Sequence, residues 1–112
     1  MSEAGDNITK KYNELNRYTQ KIKKAIKNGD FESILNLEIS AWCQHFIYLG
    51  DRVIRRQGYF PEKSKYVLFK KTFDDNMGNL FKVLPELMSL YDELFPIVDR
   101  RYLKILGRNP KN

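Results

Sequence analysis

Between Asn7 and Asn28 the side chains of Ile8, Tyr12, Leu15, Thr19, Ile22 and Ile26 fall at alternating intervals of four and three, which lines one face of a helix. Asn28-Gly29-Asp30 then offers a glycine for a left-handed C-terminal turn and an aspartate to cap the next helix. So short a turn predicts an antiparallel partner. From Phe31 to about Gln57 two adjacent stripes run together, one through Phe31, Leu35, Ile39, Trp42, Phe46, Leu49 and Val53, the other through Ile34, Leu37, Ala41 and Tyr48. An arc this wide predicts a central helix with neighbours on two sides.

Gly58-Tyr59-Phe60-Pro61 breaks the pattern and reads as the main loop. From Ser64 the positions Tyr66, Phe69, Phe73, Met77, Leu80, Leu84, Leu87, Tyr91 and Leu94 recur at threes and fours, predicting a third long helix. Pro85 lies off that stripe and predicts a kink or short break near Lys82 to Leu84. Pro96 suits the first turn of a short terminal helix over 96–107, with Val98, Tyr102 and Ile105 as its apolar side and Gly107 as its stop. Residues 1–6 read as a flexible lead and 108–112 as a frayed tail. The expected fold is all-α: one domain over 1–112, an antiparallel bundle of three long helices plus a short C-terminal one.

Composition narrows the class of function. With 42% hydrophobic and 13% aromatic residues, the chain has the material for a packed core. The longest apolar stretch, Ile39 to Leu49, is interrupted by Gln44 and His45, so no membrane span is expected. Met1 to Asn7 lacks the basic-then-apolar order of a secretory signal, and a single cysteine, Cys43, suits a reducing compartment; the expected location is the cytoplasm.

No constellation for catalysis or metal binding emerges, and the chain reads as a non-enzyme without a cofactor. Cys43 and His45 point in different directions on a helix, and there is no second histidine. Asp74-Asp75 and Asp92-Glu93 are adjacent pairs whose members diverge by about 100 degrees on a helix, which suits solvated faces. Phosphate-cradling glycine motifs are missing from the sequence.

The formal charge of +6 raises a second possibility. Lys23, Lys24 and Lys27 near the end of the first helix, with Arg52, Arg55 and Arg56 at the end of the second, could form one basic patch for phosphate, with Tyr59 and Phe60 available to stack on bases. The competing interpretation is that lysines on an exposed bundle face keep it soluble while arginines in a last turn complement the helix dipole.

The layout resembles the FliT-type flagellar export chaperones, most closely in Asn28-Gly29-Asp30-Phe31-Glu32-Ser33-Ile34-Leu35-Asn36-Leu37-Glu38 at the opening of the second helix and in the leucine-rich stretch Leu80 to Leu94. The resemblance implies a cytoplasmic chaperone that holds a filament-cap protein and also contacts the export apparatus or a flagellar regulator. It further implies a terminal helix that moderates access to the binding surface. The expected partner is a protein with an amphipathic helical segment, met by Tyr59, Phe60, Val98, Tyr102 and Ile105. The alternatives are a basic nucleic-acid-binding module and a small helical effector or immunity-type binder. The heptad stripes also fit a homodimer seam.

Overall fold

A computed structural model describes the backbone of residues 3–105 and the side chains of residues 8–100. Four helices run α1 (Glu3–Asn28), α2 (Asn36–Gln57), α3 (Lys63–Asp75) and α4 (Leu84–Ile105), and short 3-10 turns at Phe31–Ser33 and Leu80–Val83 precede α2 and α4. There is no strand among the described residues, and the all-α bundle is as expected.

The first helix begins at Glu3, so residues 3–6 belong to α1 where the sequence suggested a flexible lead. Its stripe is buried as spaced: Ile8, Tyr12, Leu15, Thr19 and Ile22 all face the core. Gly29 takes the left-handed conformation (φ 67°), which permits the backbone bond from Asp30 N–H to the Ala25 carbonyl. The second helix starts five residues later than expected. Phe31 to Leu35 form a turn and an extended entry, and the Glu38 carboxylate reaches back to accept the Leu35 N–H at 3.0 Å. That is half of a capping box; leucine has no oxygen to supply the other half.

The expected third helix is two helices. Asn76, Met77, Gly78 and Asn79 separate α3 from the turn that leads into α4. The Asn76 side chain donates to the Thr72 carbonyl at 2.8 Å, and the Asn79 N–H bonds the Asn76 carbonyl at 3.0 Å, so local polar bonds replace the helical ladder there. Pro85 is then harmless, because it sits in the first turn of α4, where its missing N–H would have had no partner.

No separate terminal helix begins at Pro96, which lies inside α4. Leu84, Leu87, Tyr91, Leu94 and Val98 keep one buried rhythm of threes and fours through it, while Pro96 itself faces outward. Packing on one face outweighs one lost hydrogen bond on the other. The expected stop at Gly107 and the tail 108–112 lie outside the described residues.

At mid-height the core is aromatic. Phe46 makes edge-on contacts with Phe69 and Tyr91 at 5.1 and 4.9 Å between ring centres, and Trp42 lies 5.0 Å from Tyr91. Thr19 ties three helices together: its hydroxyl donates to the Leu15 carbonyl (2.7 Å), accepts the Trp42 indole N–H (3.0 Å) and bonds the Tyr91 hydroxyl (3.0 Å). Gly50 lets α3 approach α2, since a Cβ there would lie 2.5 Å from the Tyr66 hydroxyl. That hydroxyl is 2.8 Å from the Asp51 carboxylate, which also accepts from Lys70 at 3.1 Å.

Candidate functional site

The antiparallel order gives the bundle two ends of different chemistry. One end holds the α1–α2 turn and the α3–α4 connection; the other holds the start of α1, the end of α2 and the α2–α3 loop.

At the first end, apolar side chains face solvent. Phe31, Leu35, Leu37 and Met77 are 47%, 61%, 75% and 49% exposed, and Ile26 at the end of α1 joins them. One residue pins the two connections together here. Asn36 donates to the Met77 carbonyl at 3.0 Å and accepts the Leu80 N–H at 2.7 Å, so Leu35 and Leu37 flank a fixed contact with the Met77 segment. Glu38 is salt-bridged to Lys21; that ammonium, and then the Leu35 N–H, hold its carboxyl below the usual carboxylate range. The apolar side chains therefore sit on an anchored backbone.

Sequence reasoning placed Phe31, Leu35 and Leu37 in the core stripes of a helix starting at Phe31, and Met77 in the third helix. For Phe31, Leu35 and Met77 the reason is that α2 does not begin until Asn36 and α3 ends at Asp75, so the α-helical stripes that would bury them do not form; Leu37 lies in the first turn of α2 but faces solvent there. A signal was present in the excess of apolar positions, since two full stripes on one helix exceed what a four-helix core can cover.

The residues expected to meet a partner are not gathered. Tyr59 is exposed in the loop at the second end, but Phe60 is buried and stacks on Tyr66 with ring centres 4.8 Å apart. Val98 is wholly buried, which makes this part of α4 a core member rather than a removable cover. The side chains of Tyr102 and Ile105 lie outside the described residues.

The single basic patch also divides. Lys21 pairs with Glu38 and Lys23 with Asp92 (2.7 Å), which places Lys23, Lys24 and Lys27 towards the apolar end. Arg52 and Lys11 both lie over the Tyr48 ring, at 5.8 and 5.3 Å, which places Arg52, Arg55 and Arg56 beside the start of α1. At 1.5 Å per residue, Lys11 and Lys24 are about 20 Å apart along α1. A continuous patch of all six is ruled out by the antiparallel geometry.

Cys43 is buried, and burial pushes its thiol well above the ordinary range, so it is not poised as a nucleophile. The His45 ring donates through Nδ1 to the Ala41 carbonyl at 2.7 Å and lies against Tyr18. Among the described residues, no three His, Cys, Asp or Glu side chains converge as a metal site requires, and no helix is long and apolar enough to cross a membrane.

No protein-family profile, curated protein or solved structure matches the chain.

Proposed function

We propose that the chain is a non-enzymatic binding protein that sequesters an amphipathic helical segment of a partner protein at its apolar end. The observation that carries this reading is the exposure of Phe31, Leu35, Leu37 and Met77 around the Asn36 contact. Apolar side chains in solvent at one anchored site are what an i, i+3, i+4 set of anchors on a partner helix needs. Together they expose on the order of 500 Å² of apolar surface, the upper range for the largest patch on a monomer. A standard interface takes roughly 800 Å² per partner, so the patch suits a short segment better than a dimer of whole chains. The resemblance to FliT-type chaperones adds a candidate partner, a flagellar filament-cap protein held in the cytoplasm before export.

The test compares the wild-type chain with a Leu37→Glu/Met77→Glu variant as bait in a cell lysate, at low and high salt and with and without nuclease. The expected result is a helical partner, such as the cap protein, retained at high salt by the wild type and lost by the variant. Capture that ignores the variant, or that nuclease and salt abolish, would overturn the proposal.

A further inference from the structure

The three arginines at the opposite end have an arrangement that the apolar end does not explain. Arg52, Arg55 and Arg56 stand at i, i+3 and i+4 on the last turns of α2, a spacing that puts them on one helix face, and together they line a hollow of about 210 Å³. Some lysines, such as Lys24 and Lys27, simply stand in solvent, while Arg17, Lys21, Lys23, Lys65, Lys70 and Lys71 each have a carboxylate partner. Among the described residues none of the three arginines has one. Arg52 is held along the helix by Tyr48, and its Nε is hidden from solvent without a hydrogen-bond partner. A buried donor left unmade is costly, and such groups in native proteins usually serve a bound ion or water.

We propose that Arg52, Arg55 and Arg56 form a binding site for a phosphate monoester, with Lys11 adding charge from α1. Guanidinium forks match tetrahedral oxyanions bidentately, which an equal number of lysines would not. Charge decides between the oxyanions. A carboxylate brings one negative charge and two oxygens to three cations, whereas a phosphate monoester brings nearly two charges and three terminal oxygens. The left-over positive charge is smallest for the monoester. The C-terminus of α2 lies beside the site and its dipole disfavours an anion there, so the arginines must outweigh it, which explains why three are assembled rather than one. This site is independent of the apolar end.

The test is a titration of the full chain with inorganic phosphate, read by the arginine Nε–H resonances, in the wild type, in Arg55→Lys/Arg56→Lys, and in Lys23→Ala/Lys24→Ala/Lys27→Ala. Arg52 is left intact because its substitution also disturbs the packing on Tyr48. The expected result is saturable binding that shifts the Arg52 Nε–H, falls about tenfold in the charge-conserving arginine variant and is unchanged in the lysine variant. Glycerol phosphate and phosphatidic acid vesicles then separate a soluble ester from a lipid headgroup as its source, and binding of either supports the site. Loss in both variants alike would mean diffuse charge and overturn the proposal. So would a lack of saturation, or binding to a single-stranded oligonucleotide without binding to any monoester.

Discussion

The middle of the bundle and its apolar end are built from the same kinds of side chain, yet they have opposite fates. Trp42, Phe46, Phe69 and Tyr91 are wholly or almost wholly buried, while Phe31, Leu35, Leu37 and Met77 are about half exposed or more. For Phe31, Leu35 and Met77 the difference is backbone, not hydrophobicity, while Leu37 sits in the first turn of α2 on a face turned to solvent. In the middle, unbroken helices keep every third or fourth residue on the inner face; at the end, Gly29, the entry at Ile34 and Leu35, and the Asn76 to Asn79 segment interrupt that register. An apolar spacing of threes and fours reports burial reliably only along a face whose helix is continuous; single residues such as Ile34 and Phe60 reach the core from the connections.

The largest effect expected from this contrast is at Phe46. Phe46→Ala removes the ring that meets Phe69, Tyr66 and Tyr91, and is expected to lower the unfolding free energy by about 3 to 5 kcal/mol in urea denaturation. A loss under about 1 kcal/mol would mean the middle is as loosely packed as the end.

Gly50→Ala comes next. Its new methyl meets the Tyr66 ring, and the expected cost is about 1 to 3 kcal/mol. Restoration by a second change, Tyr66→Leu, would show that the ring is the cause.

A pH series distinguishes the regions without changing the core's shape. Burial raises the Cys43 thiol, so the folded chain keeps a proton that the unfolded chain releases above its ordinary thiol range. Stability is therefore intact at neutral pH and falls as pH rises beyond roughly 8.5, by up to about 1.4 kcal/mol per unit. Tyr91, also raised by burial, adds to the loss at still higher pH. Cys43→Ala should remove the first part of the decline; parallel curves for the two proteins would show that the thiol is not desolvated.

The smallest expected effect is Leu37→Glu. At 75% exposure the change should alter stability by less than about 0.5 kcal/mol, with any loss confined to partner binding. A large destabilisation would place Leu37 in the fold rather than on a recognition surface.

Periodicity made the core legible: Leu15, Ile22, Ile39, Trp42, Phe69 and Leu87 were all on expected stripes, and all are buried. It failed where local polar bonding competes with the helix. Asn76 and Asn79 close the break in the expected third helix, and no spacing of apolar residues reports that. Conversely, Pro96 looked like a helix start, yet the Tyr91, Leu94 and Val98 rhythm carries through it, because a proline on the outer face leaves the buried face intact. The basic clusters were visible in sequence, but their separation comes from the antiparallel direction of α1 and α2, and their charge pairing from side chains distant in sequence. Phe31, Leu35 and Met77 of the apolar end were missed for the same reason as the breaks at which they lie.

Trp42 has a practical consequence. It is the chain's one tryptophan, and its indole is shut inside the core with its N–H on Thr19 and its ring against Phe69 and Tyr91. Its fluorescence therefore comes from a single environment at the junction of all four helices, emitting to the blue of indole in water while those helices stay together. A ligand that binds at either end and leaves the bundle closed leaves that signal unchanged, so a shift on adding ligand reports opening of the bundle itself.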